Sequence, residues 1–485
     1  MVLIASSVTL AASVTLAASR TQHFDSDPAW DSLNNRVAPP RLPTVTQDFG
    51  YSATNFAGKE KGEIGGRVWR STTRASYAAA IPVKTLNDKL SASGTFAITD
   101  TSGSSGAFFG WFNSATADGG RPNTLGFRFA GEGSGARLTL QLVTATNQAC
   151  GTKITPWIVD KTKERGNGRK FRPPSIKNDG TRYDWTLDYD PQGNDGSGQI
   201  HFIIRSNSPQ PDTFEGKTFT VDLPKGYKEH GTTFDRFGLT NSEKGGNALS
   251  IYFDDLRYDE QAEDFSRDAG WLGCGNNVTF QDPVQTGAHD FGYLGKSNLA
   301  QGTAAGEVGG IVWRSGKYGY YADPVGPLSL NNRLEAGGKV MLKTGSPDSG
   351  MYLGFFNSAD KDKSPAESGN FLGVKIGGPT RVGHYFAPSY VTATGAKVDR
   401  ATGPLLVPKR VYDWKMTYDP AANEGNGAIS VTLGNESVTL RLKPGDKSTG
   451  AAFDRFGLFT AGKGGSFVKI YFDDLNYTAT AEPQP

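Results

Sequence analysis

The stretch YDWTLDYDP at residues 183–191 recurs as YDWKMTYDP at 412–420. In the first copy Tyr183, Trp185, Leu187 and Tyr189 alternate with Asp184, Thr186 and Asp188. In the second, Tyr412, Trp414, Met416 and Tyr418 alternate with Asp413, Lys415 and Thr417. A period of two is the signature of a strand with one buried face. Working outward, GEIGGRVWRS at 62–71 recurs as GEVGGIVWRS at 306–315, and AFFGWFNSA at 107–115 as MYLGFFNSA at 351–359. FDRFGL at 234–239 recurs at 453–458, IYFDDLRY at 251–258 as IYFDDLNY at 470–477, and QDFGY at 47–51 as HDFGY at 289–293. The order is the same in both halves, so one unit is written twice. The boundaries read from the sequence are 22–261 and 262–480, meeting at the acidic joint 259–264, with a tail at 481–485. A basic insertion at 151–182 belongs to the first half only.

Other segments agree with a β fold. Gln199 to Arg205 puts Ile200, Phe202 and Ile204 on one face, and 428–442 reads as two strands joined around Gly434-Asn435, which is hairpin chemistry. No segment sustains a 3.6-residue apolar period. The chain of 485 residues carries 62 glycines and 26 prolines, which suits many short strands separated by turns. The expectation is an all-β protein of two tandem homologous sandwiches of the jelly-roll type. Aromatics at 11% exclude a disordered low-complexity chain, and two cysteines exclude a disulfide framework. A net charge of +2 argues against a protein built to coat nucleic acid.

Residues 1–19 carry no charged side chain, yet they are too short and too weakly apolar for a membrane span. Ala17-Ala18-Ser19 suits signal-peptidase cleavage, but the usual basic start is missing. The reading of 1–21 is a signal peptide or a disordered tail, which makes secretion the leading compartment. No other stretch is apolar enough to cross a membrane. Cys150 and Cys274 sit in no metal-ligand spacing, so they read as either one interdomain disulfide or two inert buried thiols.

A unit of this size closing with IYFDDLxY resembles the concanavalin A-like lectin and glucanase superfamily. From about residue 22 to 478 the chain also resembles secreted proteins of polysaccharide-degrading bacteria that carry the same FDRFGL and YFDDL elements. The resemblance implies a protein that binds, and as an enzyme cleaves, an extracellular polysaccharide, as a glycoside hydrolase or a polysaccharide lyase. The alternative is a non-catalytic glycan-binding or surface-attachment protein, because this architecture hosts all of these. Family 16 glycosidases of the superfamily carry Glu-x-Asp-x-x-Glu on one strand. Here Glu63 is followed by Gly65 and Val68 at the acidic positions, and Glu307 by Gly309 and Val312. One carboxylate per strand cannot supply the pair a retaining mechanism needs.

Four groups of residues are candidates for chemistry. Glu63 with Arg70, and Glu307 with Arg314, stand in both halves and read as catalytic carboxylates or as buried carboxylates tied to loop backbone. Asp254 and Asp473, on the last strand of each half, read with Asp48 and Asp290 as ligands of a structural calcium ion, or as caps on backbone amides. RVGHYFAPSY in the second half places His384 and Tyr390 on one strand face, with Arg381 and Tyr385 on the other. That set reads as a proton-transfer pair for β-elimination, as a sugar-stacking surface, or as an ordinary half-buried strand. The insertion 151–182 has a net charge of +6, so the rest of the chain sums to −4. Arg165, Arg169, Lys170 and Arg172, with the unmatched Trp157, read as a contact for an anionic polysaccharide or as a solvated, mobile loop around Gly166-Asn167-Gly168. The other tryptophans are mostly in matched pairs, such as Trp30 with Trp271, and read as core. No Walker loop, HExxH or dinucleotide fingerprint appears, so no organic cofactor and no nucleic-acid partner is expected.

Overall fold

A computed structural model describes residues 17–37, 41–116, 122–154, 176–207, 217–242, 245–282, 287–346, 348–359, 361–378, 382–399, 402–462 and 465–480. The fold is all-β, with antiparallel strands in four sheets of seven to nine strands. The sheets pack in two pairs, giving two sandwiches with separate cores. In each unit one sheet carries the IYFDDL strand and the YDW strand, and the other carries the FDRFGL strand. The alternating residues of YDWTLDY behave as their period demands. Tyr183, Trp185, Leu187 and Tyr189 are buried, and the residues between them are half-exposed. The joining strand Leu90–Thr101 runs antiparallel to both its YDW and its YFDDL neighbours.

The units do not follow the boundaries 22–261 and 262–480. Strand Ala17–Gln22 pairs with the last strand of the chain, from Ala17 opposite Thr480 to Gln22 opposite Leu475. Asp31–Leu33 then joins the FDRFGL sheet of the second unit, against Tyr320, Tyr321 and Ala322. Conversely, Gln261–Glu263 folds back on Leu256–Tyr258, and Leu272–Cys274 and Asn277–Gln281 edge the two sheets of the first unit. Each sandwich is therefore closed by a strap of about twenty residues. The first unit's strap follows its last strand directly. The second unit's strap comes from the opposite end of the chain.

The two straps dock by the same contacts, because their sequences match. Phe24 and Phe265 are buried, as are Trp30 and Trp271, at 5% and 8% exposure. Trp30 packs among Phe24, Tyr321 and Tyr477, and Trp271 among Phe265, Tyr77 and Tyr258. The Tyr321 hydroxyl donates to Asp27 at 3.2 Å, and the Tyr77 hydroxyl to Asp268 at 2.9 Å. Asn35 donates to the Phe291 carbonyl and Asn276 to the Phe49 carbonyl, each at 2.6 Å. Gly62 and Gly306, both with φ of +117°, mark where the straps pass. A first side-chain carbon there would lie 1.8 Å from the Phe265 or Phe24 carbonyl oxygen. This explains the glycine ahead of each conserved-looking glutamate within the duplicated GE(I/V)GG segment.

The units also touch directly. The Asn147 side chain, at a turn of the first unit, donates to the Gly345 carbonyl of the second at 2.8 Å, and Lys409 donates to the Ala115 carbonyl at 2.8 Å. Cys150 is buried and Cys274 exposed. No disulfide joins them, and only one of the two is enclosed. No described helix is long and apolar enough to cross a membrane.

Removing the indole of Trp30 leaves a cavity in the second unit only, at a cost of about 3–5 kcal/mol. Hydrogen exchange of Trp30→Ala is expected to quicken in 320–329 and 467–480 and stay unchanged in 76–85. Trp271→Ala is expected to show the reverse. Faster exchange of 76–85 in Trp30→Ala would refute the assignment of straps.

Candidate functional site

The duplicated glutamates are enclosed. Glu63 accepts from the backbone N–H of Phe56 at 2.9 Å and of Ala57 at 2.7 Å, and from the Thr54 hydroxyl. Glu307 accepts from the Ala300 N–H at 2.8 Å and from the Ser297 hydroxyl. Both are fully buried, so each ties down the loop ahead of its strand and neither faces a groove. Of the two readings drawn from the sequence, this is the structural one.

The four aspartates do not converge. Asp48 and Asp290 are exposed, and Asp290 lies 3.8 Å from Arg36. Asp254 and Asp473 point inward against the same loops that hold the glutamates. Among the described residues no three acidic, His or Cys side chains gather as metal ligands. Instead, Asp254 and Asp473 accept from the next residue's N–H at 2.7 Å, and the second oxygen of Asp473 is buried without a partner. Burial pushes both carboxyls up to about 7, with Asp255 or Asp474 and the nearby Glu63 or Glu307 adding to the rise.

His384 and Tyr390 share a strand face, as their spacing requires, but it is the core face. Both are fully buried. The Tyr390 hydroxyl donates to Asp446 and accepts from the Lys443 N–H. The Ser349 hydroxyl donates to the Ser346 carbonyl, so His384 Nε2 is the donor to Ser349 at 2.8 Å. His384 Nδ1 then accepts from Asn147 of the first unit at 3.3 Å. The ring occupies room left by Gly345 and Gly378, where a first side-chain carbon would lie 2.4 and 2.3 Å from it. Burial lowers its pKa to about 4. This is a neutral histidine pinning the contact between units, not a proton-transfer group open to substrate.

Tyr385 points the other way, and here the structure gathers several polar groups. The outer face of the second unit's FDRFGL sheet holds a cavity of about 420 Å³. Tyr352, Lys375 and Tyr385 stand on adjacent strands, Gly350 and Gly377 leave space between them, and Arg314, Lys397, Asp348 and Glu367 also line the cavity. The Lys397 ammonium lies 5.1 Å over the Tyr352 ring and donates to its hydroxyl at 2.7 Å. Arg314 pairs with Asp348. Of the residues singled out in the sequence, Arg314 and Tyr385 come together here. Lys375, Lys397 and Tyr352 escaped notice, although LGFRF and LGVKI, at 125–129 and 372–376, show a cation at matched places in both halves. Arg381, Trp157, Arg165, Arg169, Lys170 and Arg172 lie outside the described residues.

No family model matches the chain. No curated protein matches it. Among solved structures it is similar to laminin alpha1 chain domains LG4-5 of mouse, at 9% identity and a TM-score of 0.23, over 93% of this chain and 94% of that one. It is similar to the carbohydrate recognition domain of Emp47p at 10% identity and a TM-score of 0.25, over 41% of this chain and 90% of that one. It is similar to the LG1-3 region of the laminin alpha2 chain at 9% identity and a TM-score of 0.21, over 86% and 69%. The functional reading rests on the chain's own geometry.

The buried groups give stability two opposed pH dependences. His384 stays neutral in the fold while the unfolded chain takes up its proton near pH 6.5. Its share, about 3 kcal/mol, is thus present above pH 6.5 and lost as pH falls towards 4. Asp254 and Asp473 bind protons more tightly folded than unfolded. Their share is present below the ordinary carboxyl range and lost as pH rises through 7. The double variant Asp254→Asn, Asp473→Asn is expected to melt above the wild type at pH 8.5 and level with it at pH 5. A lower melting point at pH 8.5 would show that the ionised carboxylates stabilise the fold. His384→Gln is expected to flatten the fall in melting temperature between pH 6.5 and 4.5, and an unchanged slope would rule His384 out as its source.

Proposed function

We propose that the chain binds an anionic polysaccharide outside the cell, through the outer face of the second unit's FDRFGL sheet, and holds it without cleaving it. The observation that carries this reading is the cavity in which Arg314, Lys375 and Lys397 stand with Tyr352 and Tyr385 over a glycine floor. Tyrosine rings offer an apolar face to a sugar ring and a hydroxyl to its substituents. Guanidinium and ammonium groups recognise carboxylate or sulfate, the guanidinium in bidentate fashion. Asp348 and Glu367, which also line the cavity, suit the sugar hydroxyls. Of the groups that the sequence offered for catalysis, Glu63, Glu307, His384 and Tyr390 are buried and line no part of this cavity, whereas Arg314 and Tyr385 line it. A binder also needs no calcium and no organic cofactor.

Affinity electrophoresis through gels containing polygalacturonate, alginate or a sulfated galactan tests the reading, with neutral dextran as control. At least one anionic polymer is expected to retard the protein, less so at high salt. The variant Lys375→Ala, Lys397→Ala, and separately Tyr385→Ala, are expected to weaken retardation about tenfold or more. No anionic retardation, or retardation indifferent to these variants, would overturn the proposal. Release of reducing ends or unsaturated uronates would show an enzyme instead.

A further inference from the structure

The duplication provides an internal control on the other sheet. In both units the outer face of the YFDDL sheet carries two carboxylates in the same register. They are Asp184 and Asp255 in the first unit, and Asp413 and Asp474 in the second. The second unit satisfies both. Lys339, directly across from Asp413, donates to it at 3.0 Å. His23 of the strap meets Asp474 at 2.7 Å, and Thr303 donates to it at 2.8 Å. In the first unit each of these partners is replaced. Thr95 stands across from Asp184 in place of the lysine. Asp264 and Lys59 occupy the places of His23 and Thr303. Asp184 keeps only a hydrogen bond from Asn207 at 3.1 Å, and Asp255 is exposed with no ion pair among the described residues.

The loop beside them differs in the same sense. Leu299 of the second unit packs down on Ala300, Met341 and Tyr471. Its counterpart Phe56 is 41% exposed, with its ring 4.7 Å from that of Tyr252. Arg182 fixes the loop by donating to the carbonyls of Asn55 at 2.8 Å and Phe56 at 2.9 Å. Phe56, Asp184, Asn207 and Asp255 line one open cavity of about 850 Å³.

We propose that the first unit carries a second, separate site, for a neutral sugar residue, built on Phe56, Asp184, Asn207 and Asp255. A held aromatic face packs against the apolar C–H face of a pyranose. Two carboxylates and an amide accept from and donate to its hydroxyls, with the stronger bonds that an ionised acceptor makes. Lys59 and Arg182 line the same cavity, so its formal charges cancel and suit a neutral sugar, a ligand class different from the one proposed for the second unit. The site rests on the glycan-binding reading only in its choice of a sugar, and its residues are distinct from those of the other cavity.

The probes are soluble neutral polysaccharides of gluco, galacto, manno and xylo configuration in affinity gels. At least one is expected to retard the full-length protein. Phe56→Ala, and separately Thr95→Lys, are expected to weaken that retardation about tenfold or more. Thr95→Lys reinstates the ion pair that the second unit already holds in the same register, so it is expected to fold with an unchanged melting temperature. Should it not, Phe56→Ala decides, because that side chain is exposed. Retention must persist in Lys375→Ala, Lys397→Ala, whose loss is confined to anionic polymers. Absence of retardation by every neutral polymer, or retardation indifferent to Phe56→Ala, would overturn the site and leave the anionic one standing. Loss of both kinds of retention in the lysine variant would merge the two sites into one and overturn the proposal equally.

Discussion

Each sandwich depends on one tryptophan seated between two tyrosines. Without a strap, the end of the YFDDL strand, at 256–258 or 475–480, lacks a partner on one edge, and the slot lined by Tyr321 and Tyr477, or by Tyr77 and Tyr258, stands open. Exposed edges and large apolar slots are features that folded proteins cover. The first unit covers its own through a hairpin turn beyond Tyr258. In the second unit the segments 17–22 and 31–33 supply the cover instead. Strap, first core, strap, second core is thus the linear order, and the two connections between units run in opposite directions. Closure of the first unit is local, whereas that of the second joins residues more than 450 apart in sequence. Loop closure over such a span adds only modest entropy to the equilibrium but slows formation. The first unit is therefore the one that can complete itself early.

The shared interior and the divergent exterior of the two units separate structure from function. Much of what the halves keep in common is buried, as are Glu63 and Glu307, Asp254 and Asp473, and the strap tryptophans, while Asp184 and Asp413, and Asp255 and Asp474, match on the outer face. What they do not share lies on the outer sheet faces. Tyr385 of the second unit stands where the first has Arg137. Lys339 stands where the first has Thr95, and Leu299 where it has Phe56. Matched buried residues in a duplicated protein thus point to shared architecture, and the unmatched residues around the exposed groups to what each copy contacts.

The sequence made the strands legible wherever one face is buried, since a period of two survives any detail of packing. It also made the matched tryptophans legible as core. It could not show which sandwich a strap closes, because matching Trp30 to Trp271 reveals equivalence and not spatial partnership. The spacing of His384 and Tyr390 correctly placed them on one face, but alternation alone does not say which face is inward. Here the flanking Phe386 joins the core and Tyr385 does not. The candidate cavity was half legible. Arg314 and Tyr385 stand out in local motifs, whereas Lys375 and Lys397 become neighbours only when three strands pair.

The contact between units bears on how two sites would act together. A flexible linker would let the sandwiches swing, and binding at one would raise the local concentration at the other only modestly. Here Asn147 of the first unit is buried at the contact with the second, and its amide is shared between the Gly345 carbonyl and His384. Rotating the units apart would strand those buried groups without partners. The relative placement of the two proposed surfaces is thereby set by the fold. A mixed polymer with anionic and neutral stretches at that spacing gains affinity from both, and one with the wrong spacing gains from neither more than a single site provides. With glycan held at both proposed sites, selectivity would come from the distance between them as much as from the chemistry of each.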